Sequence, residues 1–196
     1  VQDKSFRLRF LRAERFDVEG AARRLLLNFR LKLELFGADL LVRDIVQDDL
    51  TEAERSYLYE EAAFLLPIRD MAGRLVLLRD MSVSQKFPSF RFFFYSTMAY
   101  SRDEETQRRG LIVVSWHVNC SMRQWQPEVS RIWGKALAAV PVRFEAIHLC
   151  CNSLPYRAMF AMFKLGASLT HRVRVREHFG KNQEEVCLSL QRYGIP

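Results

Sequence analysis

Glycine is scarce in this chain, eight among 196 residues, and none of the eight falls into a GxGxxG or GxxxxGK[ST] arrangement. Loops that cradle nucleotide phosphates need those glycines for close backbone approach, so a nucleotide-binding fold is disfavoured. Cysteine is scarcer still: Cys120, Cys150, Cys151 and Cys187 form no CxxC, and no histidine stands at ligand spacing from them. That argues against a disulfide framework and a zinc site and for a reducing, intracellular setting, and no cofactor is expected. No run of ~18 apolar residues is present to span a bilayer, and the N-terminus lacks the charged-then-apolar pattern of a signal peptide. Membrane contact is therefore expected to be peripheral, from the cytoplasm. Ser115 has no GxSxG elbow around it, and Cys150–Cys151 sits in an apolar run that should raise the thiol pKa, so no enzyme is expected. There is no internal repeat and no low-complexity stretch. The chain starts at Val1 without an initiator Met, which reads as a segment of a longer protein.

What is present in excess is aromatic residues and positive charge. An apolar fraction of 49% with 27% charged residues suits a globular fold and excludes wholesale disorder. Fifteen Phe and six Tyr are the feature that needs explaining, and core packing alone would account for them on the residues' own showing. Thirty basic against 23 acidic residues leave a net charge of +7, which favours an anionic partner: a membrane surface, a nucleic acid or a phosphorylated ligand. The basic residues are not interleaved with aromatic platforms in any nucleic-acid module, so nucleic acid is set aside. A monomer is expected.

Along the chain, Phe6 to Arg15 reads as a short basic helix. Asp17 then caps a second helix to about Phe36, with Ala22, Leu25, Leu26, Phe29, Leu33 and Phe36 as its apolar face, Lys32 on another face and Gly37 as its stop. Thr51 and Glu54 form a capping box for a third helix to about Glu61. Ala63–Pro67 and Leu75–Arg79 are strands joined across Asp70 and Gly73 as a hairpin. From there the pattern alternates: a helix over Phe87–Tyr100, a strand over Leu111–Val118, and a helix over Pro127–Val140. A buried strand over Phe144–Cys151, a helix over Tyr156–Ala167, a basic strand over Arg172–Arg176 and a last helix over Asn182–Tyr193 complete it. This order predicts an α/β domain with a mainly parallel sheet, residues 51–196, behind an N-terminal helical element, residues 1–50. His117, His148, His171 and His178 fall on or beside strands and are expected as hydrogen-bonded core or edge residues.

Leu8 to Leu25, LRFLRAERFDVEGAARRL, followed by RDMAGRLVLL from Arg69 and PVRFEAIHLCCNSLPYRAMFAMFK from Pro141, resembles the CRAL-TRIO family of retinaldehyde-binding, tocopherol-transfer and phosphatidylinositol-transfer proteins. Asp70, Gly73 and Arg74 match the family's Asp-x-x-Gly-Arg turn, Ile147–Leu149 its strand before Asn-x-Pro, and His178–Gly180 its short His/Gly segment. The resemblance covers nearly the whole chain and implies a lipid-sized apolar cavity between a sheet floor and helices, gated by the helix after Pro155.

It further implies which residues line the cavity. Phe93, Phe94, Tyr95, Met98 and Tyr100 would come from the aromatic helix, and Val114, Trp116, Val118, Ile147, Leu149 and Cys151 from the strands. Met159, Phe160 and Phe163 would come from the gate, with Met162 beside them. Lys164, Arg172, Arg174 and Arg176 would dock on anionic lipid, each basic residue contributing ~1 kcal/mol near the surface. The expected function is non-enzymatic binding and intermembrane transfer of a phospholipid, phosphoinositide, tocopherol-like or retinoid-like ligand. The alternatives are a lipid-sensing or membrane-tethering module of a larger protein and, behind it, a small-molecule enzyme. The sequence departs from the family pattern at Trp116–His117, at the stretched Asn152–Pro155 step and at Leu165–Gly166, where the ligand floor and gate would lie.

Overall fold

Phe144–Cys151 is apolar at all but two of its positions, and in the computed structural model it forms an inner strand, buried along nearly its whole length. The structure describes residues 4–56, 63–82, 89–121, 134–170 and 174–195. Its helices are α1 (Lys4–Ala13), α2 (Val18–Phe36), α3 (Glu52–Ser56), α4 (Phe90–Tyr100), α5 (Glu104–Arg109), α6 (134–139), α7 (Leu154–Thr170) and α8 (Gln183–Gln191). The strands are β1 (Ala63–Leu65), β2 (Leu75–Asp80), β3 (Leu111–His117), β4 (Phe144–Cys151) and β5 (Arg174–Phe179). They form one sheet in the order β1-β2-β3-β4-β5. β1 pairs antiparallel with β2 as the expected hairpin, and β2 to β5 run parallel, which makes the fold α/β with a mainly parallel sheet flanked by helices. The chain divides into two compact units, residues 1–59, 88–110 and 132–143 in one, and residues 60–87, 111–131 and 144–196 in the other.

In the sheet unit the parallel register places Val76, Ile112 and Ala146 in one row and Leu78, Val114 and His148 in the next. This face packs on Val186 and Leu190 of α8 and on Ile195. Side chains alternate along a strand, so Ser115, His117, Ile147, Leu149 and Cys151 look to the other face, where the His117 ring meets Tyr156 and Phe160 of α7 at 4.9 and 5.1 Å. Between β2 and the preceding turn, Asp70 is buried and its Oδ1 accepts from the backbone of Ala72 and Arg74 at 3.0 and 2.7 Å. Its Oδ2 accepts from Arg74 Nε at 2.7 Å. One carboxylate thereby satisfies the turn's donors, which is why Asp is needed there.

The helical unit has a core of Phe6, Phe10 and Ala21, with Leu11, Leu25 and Met98 packed against it. The Gly37 stop and the Thr51/Glu54 capping box form as expected, with Thr51 N donating to Glu54 Oε2 at 2.9 Å and Glu54 N to Thr51 Oγ1 at 3.2 Å. Glu54 also accepts from Ser89 Oγ at 2.6 Å, and Ser89 is the N-cap of α4, so one carboxylate ties two helix starts together.

Several sequence expectations shift. The buried stripe of α2 is Ala21, Asn28, Leu31, Lys32 and Phe36, whereas Ala22, Leu26 and Leu33 are exposed. Asn28 and Lys32 find hydrogen-bond partners inside the unit, which makes a polar stripe tenable and turns the helix by about one residue from its hydrophobic phase. α7 begins before Tyr156, because Pro155 in the first turn has no intrahelical N–H bond to lose. β5 is displaced toward the C-terminus, because its ladder with Ala146–Cys151 takes in Glu177, His178 and Phe179. The expected continuations of α3 to Glu61 and of the helix from Pro127, together with Phe87, His171 and Arg172, lie outside the described residues.

Candidate functional site

On the α7 side of the sheet, Ser115 Oγ and His117 Nε2 lie 2.8 Å apart, while His117 Nδ1 is buried with no hydrogen-bond partner among the described residues. Burial, with Arg79 nearby, pushes His117 down to about 3 and keeps the ring neutral. A serine beside a histidine is the start of an acyl-transfer dyad, but this imidazole is a weak base and its second nitrogen bonds no carboxylate. Tyr156 closes the end of this face, its hydroxyl donating to the Ser121 carbonyl at 2.9 Å. The strand ends are pinned by a reciprocal amide pair: Asn119 N donates to Asn152 Oδ1 at 2.9 Å and Asn152 Nδ2 to Asn119 Oδ1 at 2.8 Å. Asn119 holds a positive φ of 62°.

α7 itself has two apolar sides. Tyr156 and Phe160 face the sheet and are almost fully buried. The opposite arc carries Leu154, Ala158, Ala161 and Met162, all exposed, with Leu154 at 68% and Met162 at 73%. Arg157 and Lys164, also exposed, lie together along one side of that arc on the helical wheel. Arg157 bonds Glu177 of β5 at 3.2 Å and lies over the Phe179 ring at 4.9 Å, so it is held against the sheet edge.

The residues expected to line one cavity are distributed. Ile147, Leu149 and Cys151 share the sheet face covered by α7, with Phe160 above it and Met159 half-buried. Val114 and Val118, with Trp116 against them, belong to the core packed on α8. On α4, in the helical unit, Phe93 and Phe94 are buried and Tyr95, Met98 and Tyr100 half-buried, burial pushing the Tyr100 hydroxyl pKa up. Phe94, Tyr95 and Met98 line a cavity of about 150 Å³ in that unit, opposite Asn28 and Lys32 of α2. The side chain of Phe163 lies outside the described residues.

The expected cationic row is split. Arg174 and Arg176 are exposed on the edge strand β5, and the register puts them on the α8 side of the sheet with Ala146 and His148; Lys164 stands on α7, across the sheet from them. Arg176 lies 5.9 Å above the Tyr193 ring.

Two arrangements were not singled out from sequence. The first is a buried chain on the α8 side: His148 Nδ1 is 2.8 Å from His178 Nε2, and His178 Nδ1 is 2.8 Å from Ser189 Oγ, with Tyr193 edge-on to both rings. Burial pulls both imidazoles down to about 4. The period-two alternation that places Arg174, Arg176 and His178 on one face was the available signal. The second is the polar pair Asn28 and Lys32 at the cavity, whose spacing of four residues on α2 is visible in the sequence but whose burial is not. The thiols of Cys150 and Cys151 are fully buried, and burial raises both, Cys151 to about 11. Among the described residues no group of three or more His, Cys, Asp or Glu is placed to hold a metal ion, and no helix is long and apolar enough to cross a membrane. No protein-family model matches the chain.

Proposed function

We propose that this chain is a CRAL-TRIO-like, non-enzymatic carrier that holds a hydrophobic ligand under α7 and exchanges it at an anionic membrane. The observation that carries the reading is the outer face of α7: a helix whose inner side is apolar enough to pack on the sheet still presents Leu154, Ala158, Ala161 and Met162 to solvent, with Arg157 and Lys164 along one side of them. An exposed apolar face bordered by cations is how a helix lies in a bilayer interface. The guest would lie against Ile147, Leu149 and Cys151, and its head would meet the unsatisfied His117 Nδ1. Burying an acyl chain is favourable by roughly 0.8 kcal/mol per CH₂, on the order of 10 kcal/mol for sixteen carbons before association costs, enough for retention by apolar walls alone. Docking of α7 in the interface would expose that guest to the bilayer and release it.

The test is flotation with phosphatidylcholine vesicles containing phosphatidylserine, followed by transfer of a fluorescent phospholipid between two vesicle populations. Ala158→Asp combined with Met162→Asp is expected to abolish flotation, and Arg157→Ala with Lys164→Ala to weaken it severalfold at low salt. Wild-type flotation by the Asp pair removes the docking reading. Normal flotation without lipid transfer turns the protein from a carrier into a lipid-sensing or tethering module.

A further inference from the structure

Burying an ammonium group is costly unless a negative charge meets it, and Lys32 lacks one. It is 4% exposed, and among the described residues its Nζ donates only to the carbonyls of Leu41 and Arg43. A lysine ammonium carries three N–H groups, so two are used on neutral acceptors. The nearby carboxylates are engaged elsewhere: Asp44 pairs with Arg102 at 3.0 Å and Asp49 with Arg43 at 2.6 Å. Burial accordingly lowers the Lys32 pKa, with Asp44 and Asp49 opposing only through space. One turn away Asn28, 1% exposed, spends its amide N–H on Met98 Sδ at 3.6 Å, a poor acceptor.

Both side chains border the cavity of about 150 Å³ in the helical unit. Arg9 and Arg102 add positive charge to its lining against the single carboxylate of Asp44, and Phe6, Phe94 and Met98 supply apolar wall. A void of this size accepts a benzene-sized body and falls below the ~300 Å³ at which drug-sized pockets begin. It is therefore too small for a whole lipid.

We infer that this cavity is a binding site for a compact organic carboxylate, its anionic end compensating Lys32 and its ring or short alkyl body lying against Phe94 and Met98. The site stands apart from the lipid reading: it draws on α1, α2, the segment after α2, and α4 with Arg102 just beyond it, and needs nothing from α7. A neutral guest of the same shape would gain the apolar contact and leave the ammonium without an anion, so the charge should dominate selectivity.

The experiment titrates the full chain, methyl-¹³C labelled at methionine, with sodium benzoate and separately with benzyl alcohol at pH 7 and fixed ionic strength. The Met98 resonance is assigned with Met98→Leu. Benzoate is expected to shift that resonance saturably and at least tenfold more tightly than benzyl alcohol, and Lys32→Met is expected to erase the preference. A Met98 signal that benzoate does not move saturably, or a preference that survives in Lys32→Met, overturns the site. Should Lys32→Met fail to fold by circular dichroism, Arg9→Gln with Arg102→Gln takes its place. That pair is expected to weaken benzoate at least threefold and leave benzyl alcohol unchanged; unchanged benzoate affinity in it overturns the site equally.

Discussion

The buried imidazoles of His148 and His178 set the acid response of the sheet unit. Burial holds both at about 4, against the ordinary 6.5 that each regains in the unfolded chain, and Arg74 and Arg176 add to the effect at His148 while Asp70 opposes it. The unfolded chain therefore takes up protons below pH 6.5 that the folded chain refuses until about pH 4. Stability is full above pH 6.5 and falls as the pH drops toward 4. His117, held at about 3, adds in the same direction. Urea midpoints measured from pH 7 to pH 4.5 should decline, and His148→Gln should decline less steeply because one such site is gone. Parallel declines in the two proteins would mean that other groups carry the acid sensitivity. That these histidines lie on or beside strands was legible from the sequence. Their mutual hydrogen bond was not, because it depends on the β4–β5 register that only the ladder fixes. The same holds for Lys32, which by residue type belongs on a surface and is buried by partners distant in the pattern.

At the level of elements, punctuation was the most readable part of the chain. Gly37, read as the stop of α2, closes it at φ 80°, ψ 176°; Gly110, which was not read as a stop, closes α5 at φ 84°, ψ −169°, a region that essentially only glycine occupies. An added Cβ at Gly37 would meet nothing within 4 Å, so the cost of Gly37→Ala is conformational alone. It is expected to destabilise by about 1–3 kcal/mol, read as a lower urea midpoint with an unchanged m-value. A neutral result would mean that the segment after α2 relaxes freely. The apolar phase of α2 was less legible: Leu26 and Leu33 belong by hydropathy to the buried stripe, yet Asn28 and Lys32 take it, because a polar group with some hydrogen-bond partners is tolerated inside and an exposed leucine costs little. Strand edges slipped for a related reason. Glu177 and His178 look like loop residues until Arg157 and His148 are seen to receive them.

For the whole molecule, the alternation of strand and helix after the hairpin was sufficient to give the parallel sheet, since successive parallel strands need long crossovers to connect them. The allocation of each side chain to one sheet face was not, and it separates Val114 and Trp116 from Leu149 and Cys151 although all were expected to line one space. Nor was the interleaving of two compact units along the chain visible, because composition does not change where the chain passes between them. The arginines of β5 have a second consequence at this scale: they charge an edge strand of the sheet as it stands among the described residues, which discourages pairing with other chains.

Cys150 and Cys151 are neighbours in sequence but look out on opposite sides of β4, the first into the core under α8, the second toward Glu177 and Arg157 at the α7 side. Each sulfur is thereby a stopwatch for one helix. In a Cys120→Ser, Cys187→Ser background, alkylation of Cys151 should quicken when anionic vesicles are added while Cys150 keeps its slow pace; equal acceleration of both would report a wholesale opening of the sheet and not the lifting of a single lid.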